Sequence, residues 1–489
     1  MSLSRRRLLK AAAAGLAARL ATPALAEEKM AKTNLVFILT DNQGAWTLGC
    51  YGNPDIRTPS IDALARDGTR FTRAFAVNAV CSPTRATFLT GLIPSQHGVH
   101  CYLGAGGAQM GPGAYCTIRE FRTLPKLLAE AGYACGLVGK WHLGANLNPQ
   151  EGFTYWITKP HGHTTSFYDV PIIHGGKVAN EPRYTTDLWT DHACRFIEAS
   201  KDRPFFLFLA YNGPYGLGSS LRRPARNRHA ATYADSEMRS FPRLPMHPWL
   251  VNNKEYLNNV QAMRRYAAEC SGVDDGVGEV VACLKRLGLD GRTLVVYSAD
   301  QGWGGGQHGL WGMGDHSRPL HAFDDTMHIP LIFRQPGVVS AGRTSDAMVC
   351  TYDWMPTLLS LLGLGDKMPA KPPSPGRDFA PILRGQTIEW EQAIYYEFED
   401  TRAVRTSDWK YIHRHPAGPH ELYDLKGDPG ELKNLVDDPA QAETRRDLKA
   451  RLDAFFARYA DPQYDLWRAG RSKAGRILRP RPPASKAAP

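Results

Sequence analysis

The run NLVFILTD (34–41) is apolar until it meets an acid. Apolar runs of this length predict strands buried on both faces, as in a parallel sheet. The pattern recurs in GYACGLVGK (132–140), PFFLFLAYN (204–212), TLVVYSADQG (293–302) and IPLIF (329–333). Helical stretches lie between them: SIDALARDG (60–68), LPKLLAEAG (124–132), NNVQAMRRYAAECSGVDDGVGEVVACLKRLGL (258–289) and DWMPTLLSLLGL (353–364). This alternation predicts an α/β fold, a large mostly parallel sheet sandwiched by helices. After the Pro-rich connector KMPAKPPSPG the pattern changes. AIYYEFED, AVRTSDWKYIHR and ELYDL read as strands separated by turns, and ETRRDLKARLDAFFARYA as a last helix. They predict a smaller C-terminal α+β domain containing an antiparallel sheet. The expected organisation is a leader over 1–26, a large domain over 32–370, a subdomain over 385–465 and a basic flexible tail over 466–489. The segments 164–187 and 219–249 are expected to wall a pocket, because such loops sit beside the strand ends.

Composition narrows the class. Of 489 residues, 43% are apolar and 22% charged, which suits a soluble globular protein rather than a disordered one. SRRRLLK (4–10), an Ala-rich stretch and ALA (24–26) form the pattern of a twin-arginine signal peptide. Its apolar stretch is too short to span a bilayer and is interrupted by Arg19. The expectation is export by the Tat machinery to the periplasm or medium, without stable membrane insertion. The formal charge of +11 draws on this segment and on the tail, and no nucleic-acid motif accompanies it. Nine cysteines leave at least one unpaired, and no CxxC spacing points to zinc.

Chemistry gathers at strand ends, where open α/β sheets bind ligands. Asp41 and Asn42 end one strand, and Asp300 and Gln301 end another. Two carboxylates and two amide oxygens make a hard cradle for Ca²⁺ or Mg²⁺. In VGKWHLG, Lys140 and His142 are two residues apart, a cation and a proton carrier that an extended segment points to one side. In CSPTR, Pro83 is suited to open a helix with Cys81 at its positive end and Arg85 one turn on. Such a site stabilises an anion or thiolate. On its own, Cys81 reads as a buried thiol, a reactive thiolate or a chemically altered residue.

Cys81, Pro83 and Arg85, continuing into ATFLTG, form a Cys-x-Pro-x-Arg motif. With DNQGAWTLGCYGN, TPSIDALARDGTRFTRAFA, GLIPSQHGVH, the VGKWHLG segment, DWMPTLLSLLGL and ELYDLKGDPGELKNL, the chain resembles the formylglycine-dependent sulfatase family of the alkaline-phosphatase-like superfamily. The resemblance implies hydrolysis of sulfate esters. Cys81 is then oxidised by a formylglycine-generating enzyme to an aldehyde, whose hydrate takes the sulfuryl group. It implies catalytic roles for Cys81, Arg85, Lys140 and His142. It implies Ca²⁺, with Mg²⁺ or Mn²⁺ as substitutes, on Asp41, Asn42, Asp300 and Gln301. The implied substrate is a sulfated small molecule or polysaccharide. Asn42 and Gln301 replace acidic or shorter family residues, Tyr215 stands where relatives have a histidine, and no lysine occurs near Met313. His308, His316 and Arg318 are therefore expected to supply substrate contacts alongside Tyr215. A phosphonate or phosphodiester hydrolase of the same superfamily, and a degenerate sulfatase that only binds sulfated glycans, are the alternatives.

Overall fold

The computed structural model describes residues 32–104, 107–475 and 478. The expected leader and most of the tail lie outside these residues. Strand β1 (Asn34–Asp41) runs through the middle of a ten-stranded sheet. The other strands are β2 (Thr69–Phe71), β3 (Ala134–Gly139), β4 (Tyr155–Thr158), β5 (Val170–His174), β6 (Lys177–Glu181), β7 (Phe205–Pro214), β8 (Thr293–Ala299), β9 (Leu331–Arg334) and β10 (Arg343–Ser345). Their order is β10-β2-β9-β8-β1-β7-β3-β4-β5-β6. The central five, β8 to β4, are mutually parallel, and antiparallel neighbours flank them. Four of the five apolar runs are these parallel strands. The fifth, IPLIF, pairs antiparallel with β8.

Side chains of β1 alternate between two cores, as the pleat requires. Leu35, Phe37 and Leu39 face helices α2 (Cys81–Thr90), α3 (Leu124–Glu130) and α6 (Trp354–Leu361). There Phe37 meets Phe88 edge-on at 5.6 Å, and Phe88 stacks on Trp354 at 4.4 Å. Val36 and Ile38 face α1 (Pro59–Arg66), α4 (Thr185–Ser200) and α5 (Val260–Arg286).

The C-terminal strands β11 (Ala393–Phe398), β12 (Thr401–Thr406), β13 (Trp409–Arg414) and β14 (Glu421–Asp424) form an antiparallel meander packed by α7 (Ala442–Tyr459).

Two expectations change. Most of the segment 164–187 is not pocket wall: β5 and β6 extend the sheet as a hairpin, and α4 begins at Thr185. Residues 466–475, expected within the flexible tail, pack against the fold. Leu466 is buried, the backbone N–H of Lys473 donates to the carbonyl of Gly98, and the Lys473 side chain reaches Glu120 and the carbonyl of Thr117. All nine cysteines are free thiols. Among the described residues, no helix is long and apolar enough to cross a membrane.

Candidate active site

The parallel strands deliver their carboxyl ends to one place. Asp41 ends β1, Lys140 follows β3, Tyr215 follows β7, and Asp300 and Gln301 follow β8. Backbone bonds hold these ends in register: Lys140 N–H to Ala210 O (2.8 Å), Tyr215 N–H to Asp41 O (3.0 Å) and Asp300 N–H to Thr40 O (3.0 Å). Gly139 has φ +102°, and a Cβ there would lie 1.9 Å from the carbonyl of Ala210. Only glycine lets the chain turn so tightly before Lys140. Asn42, His142 and Tyr215 are also left-handed, at φ 58°, 60° and 60°. Such conformations cost about 1–3 kcal/mol each and persist where surroundings over-determine them. Here Asn42 Nδ2 donates to the carbonyl of Tyr215 (2.9 Å), and the Tyr266 hydroxyl donates to the carbonyl of Asn42 (2.9 Å).

Helix α2 inserts its first turn into this edge. Cys81 is the first helical residue, 3% exposed, with Sγ 3.5 Å from Asp41 Oδ1. Arg85 lies one turn beyond Cys81, and its hydrogen bonds go to other partners. Its Nε and Nη2 donate to Asp300 Oδ2 (2.9 and 2.8 Å), and Nη1 donates to the carbonyl of Lys140 (2.6 Å). A buried carboxylate without a cation is far costlier than a buried neutral thiol, so Asp300 takes the guanidinium. Burial, and next the charge of Asp41, push the Cys81 thiol up. Both influences favour the neutral thiol over the thiolate.

The charges are paired. Lys140 Nζ lies 2.5 Å from Asp41 Oδ2. Burial works against its ammonium, but Asp41 and its neighbours outweigh burial and raise its pKa. Burial, then Asp41, lift the Asp300 carboxyl to about 6 against the pull of Arg85. His142 is buried, with Nε2 2.9 Å from the carbonyl of Leu103. That contact assigns the proton to Nε2, leaving Nδ1 as a lone pair with no hydrogen-bond partner. Burial, then Lys140, hold this histidine neutral at ordinary pH by lowering its pKa well below the usual range.

Above the cluster opens a cleft of about 390 Å³, lined by Cys81, Tyr102, His163, Tyr215, Arg222 and Asn253 among others. Two of the expected contact residues, Tyr215 and His316, line it. The other two do not. His308 stacks on Phe323 at 3.8 Å, and Arg318 lines a separate cavity beside Leu466 and Trp467. The backbone N–H of Arg318 donates to the carbonyl of Trp249 (2.9 Å) and ties the chain there. Met313 does reach the site, its Sδ 3.3 Å from Gln301 Nε2.

Comparison with known proteins places this arrangement. The model of the family described as "Sulfatase" matches residues 33–364. The protein belongs to the sulfatase family. A model described as "N-sulphoglucosamine sulphohydrolase, C-terminal" matches residues 309–458. An N-acetylglucosamine-6-O-sulfatase of Bacteroides thetaiotaomicron is 27% identical, over 90% of this chain and 89% of its own. Human arylsulfatase A is 27% identical over 92% of each. A protein solved with its substrate D-glucosamine-2-N,6-O-disulfate superposes with TM-score 0.69 and 26% identity, over 88% of this chain and 98% of that one. A phosphonate monoester hydrolase of Agrobacterium radiobacter, TM-score 0.65 at 22% identity over 88% of this chain and 97% of that one, shares the fold. The chain is a sulfuric ester hydrolase.

The donor set of this sulfatase fits a divalent cation. Asp41, Cys81 and Asp300 present ligand atoms within 4.8 Å of one another. Gln301 turns its amide Nε2 on Asn42 Oδ1, Asp41 Oδ1 and Cys81 Sγ, while Oε1 is buried without a partner. Rotating that amide by half a turn sets Oε1 among the oxygens of Asp41 and Asn42. The amide oxygens of Asn42 and the turned Gln301 then crowd Asp41 Oδ1 without a donor of their own, and a hard cation relieves such crowding. Counting Lys140, Arg85, Asp41 and Asp300, the cluster is otherwise neutral, so a dication would give it the surplus charge an anionic ester needs.

Sequence reasoning missed His163 and Tyr102, both on the cleft wall, and Lys159, whose Nζ donates to the carbonyl of His163 (3.1 Å). Lys159 directly follows β4, so the strand-end rule applied to YWITK would have found it, and His163 four residues later.

Proposed function

We propose that this sulfatase removes sulfate from a sulfated carbohydrate, with Cys81 matured to formylglycine by a formylglycine-generating enzyme. The hydrated aldehyde supplies the nucleophile that takes the sulfuryl group. A divalent cation, Ca²⁺ first among candidates, on Asp41, Asn42, Asp300 and Gln301 supplies positive charge for the sulfuryl oxygens. Around them, Lys140 and Arg85 pair with Asp41 and Asp300, so that the positive charge the cation brings is left for the ester. Neutral His142 accepts the proton of the attacking hydroxyl on Nδ1, because Nε2 is engaged with Leu103. Tyr215 and His316 contact the sugar. Maturation in the cytoplasm and Tat export then place the enzyme in the periplasm or medium.

The supporting observation is the convergence of Cys81, two carboxylates and two cations at the floor of a cleft whose walls carry sugar-binding groups. Thr164, Thr165, Asn252, Asn253, Arg222 and Glu255 offer hydroxyl, amide and charged groups suited to sugar hydroxyls and a second anionic substituent. Relatives named for 6-sulfated N-acetylglucosamine and N-acetylgalactosamine point the same way.

The test uses enzyme co-expressed with the aldehyde-generating enzyme. The mass of the Cys81 peptide should show formylglycine, and the enzyme should hydrolyse 6-sulfated amino sugars faster than a phosphonate monoester or a phosphodiester. Cys81→Ala should lower kcat/KM by about 10⁴-fold or more. An unmodified Cys81 in a fully active enzyme would overturn the mechanism. Preference for the phosphonate would favour the diester reading, and sulfated-glycan binding without turnover the degenerate one.

A further inference from the structure

Given the sulfatase reading, we propose that His163 is the acid that protonates the leaving oxygen, with Tyr215 as its hydrogen-bond partner. His163 Nδ1 lies 3.4 Å from Tyr215 Oη, and both residues line the cleft with Cys81. The imidazole stands edge-on to His142 at 5.4 Å and to Tyr102 at 5.0 Å. It therefore sits beside the reacting centre while remaining only partly buried in the cleft wall.

The other candidates are engaged elsewhere. His142 and His321 are buried, and His308 lies against Phe323. His316 has Nδ1 between Asn253 Nδ2 (2.8 Å) and the carbonyl of Trp311 (3.2 Å), and Nε2 3.5 Å from Asp315. Tyr215 alone is a poor acid, since burial first, and then Asp41, push its phenol further above 10. It stays a neutral hydroxyl that orients the imidazole.

The loop is built to hold this ring. Lys159 Nζ donates to the carbonyl of His163 (3.1 Å), and Gly162 N–H donates to Gln109 Oε1 (3.0 Å). Asn146 Nδ2 donates to the carbonyls of Lys159 and Pro160 (3.1 and 3.0 Å). A Cβ on Gly162 would lie 2.0 Å from the His142 ring, so glycine is what lets the loop close over the catalytic floor.

The proton balance is simple. As the bond from sulfur to the ester oxygen breaks, its electron pair stays on that oxygen. The oxygen takes a proton from the His163 imidazolium, and the neutral imidazole regains one from water in the cleft. A sugar alkoxide is a poor leaving group, so the acid should contribute about 10²–10⁴-fold there and little for an acidic phenol.

The experiment measures kcat/KM on aryl sulfates of graded leaving-group acidity and on N-acetylglucosamine 6-sulfate. The proteins are wild type, His163→Ala, His163→Gln, Tyr215→Phe and His316→Ala. His163→Ala and His163→Gln should lose about 10²–10³-fold on the sugar ester and only a few-fold on the most acidic phenol. Added imidazole should restore part of the His163→Ala rate on the sugar ester. Tyr215→Phe should show a smaller loss with the same trend, and His316→Ala a higher KM without a change of slope. Equal losses across all leaving groups in a variant of unchanged Tm, no loss at all, or the slope change appearing in His316→Ala instead would overturn the assignment while leaving the sulfatase reading intact. A wild type that hydrolyses no sulfate ester overturns both.

Discussion

Gln301 shows what a single residue could and could not reveal. Its position was legible because a strand of apolar residues must end, and a polar pair at that end faces a ligand edge. Asp41, Asn42, Asp300 and Lys140 were legible for the same reason. Partnerships were not, because they depend on strands far apart in sequence. Arg85 lies one turn beyond Cys81 as the motif requires, but its partner Asp300, 215 residues away, was not legible. His163 went unread because it lies four residues beyond its strand, in the loop KPHGHTT. The orphaned Oε1 of Gln301 leads to a prediction with a readout separate from turnover. Ca²⁺ binding only the folded state should raise the Tm, by the equivalent of about 2.7 kcal/mol at a hundred times Kd. Asp41→Ala should abolish that rise, and Asn42→Asp should reach it at lower Ca²⁺ because a carboxylate replaces an amide. A wild-type Tm indifferent to Ca²⁺, measured by calorimetry after chelation, would remove the cation from the proposal.

At the scale of elements, the continuous apolar strands and the long helix were plain, and the half-exposed ones were not. In the hairpin β5–β6, β5 mixes buried and exposed residues around Pro171 and β6 buries none, so neither carries the pattern of a strand. Helix α4 starts among threonines, which favour turns and caps, and it was passed over. Helix α5 carries a titratable feature that its periodicity hides. Glu269 is buried within it, accepting a hydrogen bond from the Tyr184 hydroxyl. Burial, only partly offset by Tyr184 and Asn227, pushes its carboxyl from 4.5 to about 8. The folded protein thus keeps a proton that the unfolded chain releases above 4.5. The associated stability is complete below that pH and is lost as pH rises through 8. Glu269→Gln keeps an acceptor for Tyr184 and removes the linkage. Its stability should fall less steeply between pH 5 and 8 than that of wild type, the difference growing by up to about 1.4 kcal/mol for each pH unit. Parallel pH curves for the two proteins would show that Glu269 ionises normally.

Across the whole molecule, the C-terminal sheet is tied directly to the segment that presents Cys81. Glu397 of β11 donates its N–H to the carbonyl of Val77 and accepts on its own carbonyl from Asn78 Nδ2 (2.6 Å). Its carboxylate takes the N–H of Ser95 (2.8 Å) and Arg402 Nη2 (2.8 Å). A second tie is buried. Lys410 of β13 lies 2.7 Å from Asp324 and 2.5 Å from Glu431, and Arg405 holds Asp324 from the other side at 2.8 Å. Burial lifts Glu431 to about 7 even with Lys410 beside it, while Lys410 and Arg405 overcome burial to keep Asp324 well below the carboxylate range. Lys410→Met therefore strips Glu431 of its counter-charge and leaves Asp324 with Arg405 alone. Removing one partner of a buried pair costs about 3–5 kcal/mol. The loss should be smaller at pH 6 than at pH 8.5, because unpaired Glu431 is raised further and escapes the penalty by keeping a proton until pH passes its folded pKa. Lys410→Met with Glu431→Leu should recover most of the stability, since no unpaired charge remains at that position. Chemical denaturation of the three proteins at both pH values checks this. A double variant no more stable than Lys410→Met, or a loss independent of pH, would mean that the lysine stem's packing, and not its charge, holds the small sheet to the active-site face.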